Sequence, residues 1–231
     1  ASWPMEALKA QAVAARSEVL ANMSGKHMLE GYDFCGREHC RAYGGASGRQ
    51  PQTDSAVSAT RHIAMINAGR FVPAVFSANC GGWTEDNEAV WSGPVNSALR
   101  AVPDAGGKLK VRPDSPDWVR SSPAAFCKGG GDSFRWRKTF SGKELSELVN
   151  KKCAVGQVSK IELGERGRSG RLKWVKISGS KSSQKVSKEL AIRQAFGGLP
   201  SACFVVEPGK GQWTFVGAGR GHGVGLCQDG A

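Results

Sequence analysis

The sequence predicts an α+β fold, in which a frame of helices and antiparallel strands carries an inserted, basic, β-rich module. An Ala-rich helical pattern opens the chain, alternating apolar residues mark paired strands in its second half, and the positive charge is concentrated. Residues 105–193 contain 21 Lys and Arg against 8 Asp and Glu, whereas the rest contains 11 against 12. A stretch with its own charge character suggests a separate module. We therefore predict a frame at 1–104 and 199–231 and an inserted module at 105–198.

The first element is a helix over residues 3–20, "WPMEALKAQAVAARSEVL". Ala and Leu favour helix, Pro4 suits the first turn, and Ser2 can serve as the cap. Glu6 lies in the first turn, where the helix dipole favours any carboxylate. The alternative is that Glu6 is a catalytic proton donor. That role requires burial against apolar neighbours such as Trp3, which would raise the pKa.

A turn-rich segment with potential metal ligands follows the helix. Cys35, His39 and Cys40 lie together in "CGREHC", and His27 lies a short way upstream. Thiolates and imidazoles suit Zn²⁺, which would be structural rather than catalytic if three or four protein ligands filled the site. A disulfide between Cys35 and Cys40, or free thiols, are the alternatives.

The remaining elements follow from periodicity and turn signals. Ser141 followed by Glu144 is a capping box, which places a helix start there. Apolar alternation on both sides of a Gly/Arg/Ser turn indicates a hairpin, and two further strands flank "GKG". The predicted elements are a helix at 53–66, a strand from 70 into the Gly81-Gly82 loop, a helix at 141–152, a hairpin at 158–180, a helix at 187–198, and paired strands at 202–208 and 212–219.

Seven cysteines are an odd number and cannot all be paired within one chain. Cys80 and Cys227 each follow a predicted strand and could meet. Cys127 and Cys153 could also pair, which would leave Cys203 in an apolar setting. The connectivity stays open at this point.

The glycine-rich "GRGHGVGLCQ" near the end has basic neighbours, as phosphate-binding loops do. It lacks a following Lys-Ser/Thr pair and a βαβ context. We interpret the glycines as allowing the backbone close to a ligand or another segment, with His222 and Gln228 presenting polar groups there. A purely structural role for His222 is the alternative.

Conventional catalytic constellations are missing from the sequence. There is no G-x-S-x-G motif, and no cysteine has a nucleophile context that we can assign. Glu85, Asp86 and Glu88 cluster in one loop without a marked partner for paired-carboxylate chemistry. Chemistry that needs a single carboxylate fits better.

The net charge of +12 suggests polyanionic partners: nucleic acid, an acidic membrane surface or the anionic polymers of a bacterial wall. The alternative is that Lys-rich turns keep the module in solution. No apolar run has the length needed to cross a bilayer. With neither an initiator methionine nor a signal peptide, we expect a trimmed piece, with any signal peptide or anchor outside this chain.

Taken together, the motifs resemble the stage II sporulation protein D (SpoIID) family of peptidoglycan lytic transglycosylases and amidase enhancers. The blocks occur in the family's order over essentially the whole chain. They are "WPMEALKAQAVAAR", "TDSAVSATR", "FSANCGGWTEDNEAVWSGP", "FRWRKTFSGKELSELV", and "LPSACFVV" with "GRGHGVGLCQDGA". Cys227 departs from the family, because serine is commoner at that position.

The resemblance implies that Glu6 is the catalytic acid and base of a non-hydrolytic reaction on glycan strands, which would leave 1,6-anhydro ends. It implies a zinc site at Cys35, His39 and Cys40, with His27 as a less certain fourth ligand. It also implies a substrate cleft, for which we expect the residues Gly81, Gly82, Glu85, His222 and Gln228.

The implied partners are peptidoglycan glycan strands stripped of stem peptides and, by the same resemblance, other wall hydrolases such as an amidase. The implied location is extracytoplasmic, in the cell wall or periplasm. The nearest rival function is a non-catalytic wall-binding module that activates an amidase. Nucleic-acid binding through Trp118, Trp136 and Trp174 among Lys and Arg is a second rival, but no specific nucleic acid is expected because the usual motifs are missing.

Overall fold

The computed structural model describes residues 3–23, 25, 27–36, 40, 44–91, 93–106 and 113–231. Helices and antiparallel sheets are mixed along the chain, so the predicted α+β class is confirmed. The chain folds into two compact units, residues 1–75 with Ala231, and residues 76–230.

The first unit contains two helices and one short antiparallel ribbon. The elements are α1 (Met5–Asn22), α2 (Pro51–Ala59), β1 (Ile66–Asn67) and β2 (Arg70–Phe71). The predicted first helix is confirmed, but its N-cap is Pro4, and Ser2 lies outside the described residues. The second helix ends earlier than predicted, because the chain turns after Ala59, with His62 at positive φ, and then forms β1.

Two adjacent side chains of α1 hold the segment that follows α2. The Arg16 guanidinium donates to the carbonyl oxygens of Thr60 at 2.8 Å and Ile63 at 2.9 Å. The fully buried Ser17 hydroxyl donates to the Val13 carbonyl and accepts from the Met65 N–H at 2.8 Å. Because these bonds satisfy backbone groups at the end of α2, they fix the C-terminal half of α1 in the unit.

The second unit contains two three-stranded antiparallel sheets, β4-β9-β8 and β5-β6-β7, and a short parallel pair, β3 with β10. The elements are β3 (Phe76–Ser77), α3 (Asn87–Trp91), β4 (Arg135–Ser141), α4 (Gly142–Asn150), β5 (Val158–Leu163), β6 (Trp174–Gly179), β7 (Ser183–Ser187), α5 (Glu189–Ala195), β8 (Phe204–Gly209), β9 (Gln212–Ala218) and β10 (Leu226–Cys227).

Most of the predicted local structure of this unit is confirmed. Ser141 and Glu144 form the capping box of α4, with both reciprocal hydrogen bonds present. The predicted hairpin is β5 with β6, and the strands around "GKG" are β8 with β9. The third strand of the hairpin sheet, β7, was not predicted, and the long strand predicted from residue 70 is only the two short strands β2 and β3.

One core joins both three-stranded sheets and the helices α4 and α5. Leu145, Ile177 and Ile192 pack there with Phe204 and Phe215, all at 0% exposure. The predicted division at about residues 104 and 199 does not coincide with the compact units, because β4 of the predicted module pairs with β9 of the predicted frame. The frame-and-insert organisation itself stays a prediction.

Candidate functional site

Glu6 lies in the first turn of α1, and its side chain projects into solvent. The side chain is 84% exposed, and Lys9, three residues along the helix, donates to its Oε1 at 2.7 Å. Trp3, the expected apolar cover, is itself 39% exposed. The protein interior does not supply the burial that a proton donor needs at this position. Any desolvation of Glu6 must come from a bound ligand.

The loop after α1 brings three of the four predicted metal ligands together. One ligand atom each of His27, Cys35 and Cys40 lies within 4.8 Å of the others, while His39 lies outside the described residues. His27 is buried, and its Nδ1 lies 3.1 Å from Oε2 of Glu30. A carboxylate on one ring nitrogen orients the other toward a metal, as is typical of zinc-binding histidines. The donor set therefore fits Zn²⁺ chemically.

The glycine-rich segment at residues 219–228, called the terminal block below, makes room for a buried arginine rather than for a phosphate. Arg171 is 2% exposed and donates to the Gly221 carbonyl at 3.2 Å and to the Cys80 carbonyl at 3.2 Å. Gly219 and Gly223 have positive φ, and a Cβ on Gly223 would overlap the guanidinium. The interpretation that these glycines admit another segment is confirmed, and that segment carries Arg171.

His222, in the same block, is a neutral, partly buried imidazole. Its Nδ1 accepts the Val224 N–H at 3.1 Å, and its ring lies 4.9 Å from the Trp91 ring, centroid to centroid. Burial, reinforced by the positive charge of Arg171, lowers the pKa of His222 to about 4. Trp91 is 45% exposed. The pair therefore presents an aromatic surface with no positive charge on the imidazole near neutral pH.

Glu85 is a structural carboxylate in this conformation. It is 0% exposed. Oε1 accepts the N–H groups of Asp86 and Arg168, and Oε2 accepts the N–H and hydroxyl of Ser169, the latter at 2.7 Å. Because these donors surround both oxygens, the geometry does not support the predicted contact of Glu85 with substrate.

Three further residues of the predicted cleft contact other parts of the second unit, namely Gly81, Gly82 and Gln228. A Cβ on Gly81 would lie 3.0 Å from the Gly219 backbone nitrogen, and one on Gly82 would lie 3.1 Å from the Trp118 ring. The Gln228 N–H donates to the Ser77 carbonyl beside the β3–β10 pair. The two glycines are buried, so they do not line an open cleft here, whereas Gln228 is partly exposed.

Cys80 and Cys227 meet, as predicted, but in a larger group. The Cys80 N–H donates to Sγ of Cys227 at 3.1 Å, and Cys127 and Asp104 lie beside them. The further pairing of Cys127 with Cys153 that the sequence suggested is wrong, because Cys153 packs in the core of α4 and α5 instead. Sequence reasoning missed this four-residue group because its members lie far apart in the chain.

Two family models match different parts of the chain. Residues 85–225 match a domain of unknown function, DUF8618, and residues 1–66 match the stage II sporulation protein model. A similar protein is the amidase enhancer of Bacillus subtilis, 27% identical over 100% of this chain. Residues 1–66 thus belong to the SpoIID family, and residues 85–225 form a DUF8618 domain.

A further relative is an uncharacterized protein of Brachyspira hyodysenteriae, 29% identical over 99% of this chain. The chain spans 55% of that relative and 35% of the amidase enhancer. The SpoIID match contains Glu6 and the loop with His27, Cys35 and Cys40. Among the helices of the described ranges, none has the length and apolar character of a membrane span.

Proposed function

We propose that this chain is a lytic transglycosylase that cleaves the bond between N-acetylmuramic acid and N-acetylglucosamine in glycan strands stripped of stem peptides. Membership of the SpoIID family supports a role related to the cell wall. The observation that carries the finer proposal is the position of Glu6. It is an accessible carboxylate in the first turn of a well-anchored helix, within the stretch that matches the family.

In this mechanism Glu6 first donates its proton to the glycosidic oxygen, so that the N-acetylglucosamine side leaves with a free hydroxyl. The resulting carboxylate then accepts the proton of the 6-hydroxyl of N-acetylmuramic acid, whose oxygen bonds to the anomeric carbon and closes the 1,6-anhydro ring. No water is consumed. The nucleophile belongs to the substrate and has a high effective concentration, so a single carboxylate suffices.

Because Glu6 is exposed, the bound substrate has to remove water from it. A carboxyl group must carry a proton before it can donate one, and desolvation favours this protonated form, whereas Glu6 is open to solvent in the free protein. The bound sugar must displace that water and the Lys9 ammonium. Truncated glycans, which cover less of this surface, should therefore lose turnover rate as well as affinity.

We further propose that Zn²⁺ is held by Cys35, Cys40 and His27, with His39 as a fourth ligand, and that it has a structural role. The carboxylate of Glu30 on His27 supports this assignment, because it fixes the orientation of the imidazole. We place the protein outside the cytoplasm, at the cell wall, where its substrate lies.

A non-catalytic function, binding the wall and stimulating an amidase, is the second candidate. The specific observation that favours it is the 27% identity over 100% of this chain to a protein named amidase enhancer. The two functions differ in the fate of the glycan strand, since only the transglycosylase changes its covalent structure.

The first prediction tests Glu6 directly. Denuded glycan strands incubated with the protein should yield products ending in 1,6-anhydro-N-acetylmuramic acid, identified by mass spectrometry. Glu6→Gln should lower the rate by at least about 1000-fold, because it removes the proton donor and the base together. Glu18→Gln, on the same helix, is the matched control and should retain the activity.

Three outcomes decide between the functions. Anhydro products that vanish with Glu6→Gln establish the transglycosylase. Reducing ends in place of anhydro ends would identify a hydrolase and contradict the internal nucleophile. Binding to strands without cleavage by either protein, together with stimulation of an amidase, would establish the enhancer instead.

A further inference from the structure

A second group of metal-ligand side chains lies in the second unit, separate from the loop after α1. Cys80 follows β3, Cys127 lies in a 3-10 turn, Cys227 ends β10, and Asp104 lies in the loop between Cys80 and Cys127. One ligand atom from each lies within 4.8 Å of the other three. The three cysteines are at most 6% exposed. Four separate segments thus converge on one small buried volume.

We propose that Cys80, Asp104, Cys127 and Cys227 form a tetrahedral zinc site. Sγ of Cys80 lies 3.7 Å from Sγ of Cys127 and 3.3 Å from Oδ2 of Asp104. Four ligands around Zn²⁺, at about 2.3 Å for sulfur and about 2.0 Å for oxygen, are separated by about 3.8 Å for two sulfurs and about 3.5 Å for sulfur and oxygen. Both of these separations are close to the corresponding tetrahedral edges.

Two backbone N–H groups donate to ligand atoms of this group. The Cys80 N–H donates to Sγ of Cys227, and the Cys127 N–H donates to Oδ2 of Asp104 at 3.2 Å. Protons that the thiols now share would be released when a cation binds, as is usual for cysteine sites.

The neighbouring side chains hold the ligand segments in position. The buried Asn79 side chain donates to the Cys127 carbonyl at 3.0 Å and to the Asp229 carboxylate at 2.9 Å, and it accepts the Gly81 N–H. These contacts tie the segment before Cys80 to the segments that carry Cys127 and Cys227. Outer contacts of this kind preorganise a metal site.

Four protein ligands leave no open coordination position, so the site is structural rather than catalytic. Its effect is to join residues that are up to 147 positions apart in the chain. A disulfide is the chemical rival. The Cys80 and Cys127 sulfurs are 3.7 Å apart, which exceeds the disulfide bond length of about 2.0 Å. A disulfide would also involve only two of the three thiols in the group.

The second prediction tests this site in the full chain, with the loop site removed by Cys35→Ser and Cys40→Ser. Under anaerobic, reducing conditions the double variant should bind about one equivalent of Co²⁺. The absorption should show the visible bands of a tetrahedral ion and sulfur-to-cobalt charge transfer from three thiolates. Zn²⁺ should displace the Co²⁺ stoichiometrically.

Adding Cys127→Ser to the double variant should abolish most of the charge-transfer absorption, whereas adding Cys153→Ala, at a buried thiol outside the group, should leave it unchanged. If Cys127→Ser prevents folding, Asp104→Asn is the second variant. It should weaken Zn²⁺ binding by at least about tenfold in a chelator competition while the circular dichroism stays native.

The proposal is overturned if the double variant, folded and reduced, binds no Co²⁺, or if Cys127→Ser and Asp104→Asn both bind it as tightly as the parent. A Cys80–Cys127 disulfide found by mass spectrometry in protein purified with reductant would also overturn it. None of these results depends on glycan cleavage, so the site and the proposed activity are tested separately.

Discussion

At the scale of single residues, two histidines experience neighbouring charges of opposite sign. His27 faces the Glu30 carboxylate, which suits a ligand, whereas the partly buried His222 is subject to the positive charge of Arg171. The Val224 N–H points at Nδ1 of His222, which therefore carries no proton. The folded protein keeps His222 neutral under conditions in which a free histidine would take up a proton.

The third prediction concerns the pH dependence that follows from His222. Its pKa is about 4 in the folded protein against 6.5 in the unfolded chain. Between these values the unfolded chain binds the extra proton, so the free energy of unfolding should fall as the pH is lowered from 7 toward 4. We expect His222→Gln to remove about 1–2 kcal/mol of this dependence, reduced from the full value because the ring is partly exposed.

Urea unfolding at several pH values between 4 and 7 measures this effect. His62→Gln, at an exposed histidine, is the control and should keep the parental slope. A slope that does not change with His222→Gln would show that other groups cause the acid sensitivity.

Residue chemistry was predictable from the sequence only where the partners are close in the chain. The capping box joins Ser141 to Glu144, three residues on, and its prediction is confirmed. The burial of Glu85 could not be predicted in this way, because its partners, Arg168 and Ser169, come much later in the chain. No local pattern marks such a contact in advance.

At the scale of elements, the same rule separates the strands that were predicted from the one that was missed. β8 and β9 show apolar residues and a glycine turn, and they pair as expected. β7 has the sequence "SQKVS", in which the apolar signal is a single valine, yet it pairs with β6 along its full length. Backbone pairing with an existing strand stabilised an element whose side chains did not predict it.

The fourth prediction concerns the terminal glycine block. Gly223 has a φ of +79° and adjoins Arg171, whereas Gly198, after α5, has a φ of +87° with no atom within 4 Å of the position that a Cβ would take. Gly198→Ala should cost only the backbone strain, about 1–2 kcal/mol. Gly223→Ala must also displace the buried Arg171 and should cost at least about 3 kcal/mol.

Chemical unfolding of the two alanine variants measures the difference. Equal losses of stability would show that Arg171 moves aside without cost and would contradict its assigned role in holding the block.

At the scale of the whole molecule, the charge of +12 is the dominant property. Glycan strands stripped of stem peptides keep a lactyl carboxylate on each N-acetylmuramic acid and are therefore polyanions. A strongly basic protein concentrates such a polymer at its surface through long-range attraction. The charge thus supports the proposed substrate without selecting it over other anionic polymers.

The fifth prediction is a strong salt dependence of binding to denuded strands. Raising NaCl from about 50 mM to about 300 mM shortens the screening length from about 14 Å to about 6 Å. We expect the affinity of the Glu6→Gln variant for denuded strands, measured by co-sedimentation, to fall by at least about tenfold over this increase in salt. Strands whose carboxylates have been amidated are the control and should bind weakly at both salt concentrations. Binding that ignores salt would instead indicate recognition of the neutral sugar.

The pairing of β3 with β10 has a consequence for the order of folding. Their partners Phe76 and Leu226 are 150 positions apart, and the pair is parallel. During synthesis β3 emerges long before β10, so β3 lacks this partner strand while most of the second unit is made. Contacts of this separation close late because the loop entropy is lost before any contact compensates for it. The C-terminal block therefore completes the second unit last, and a stalled or shortened chain would expose the cysteine-bearing segment after β3.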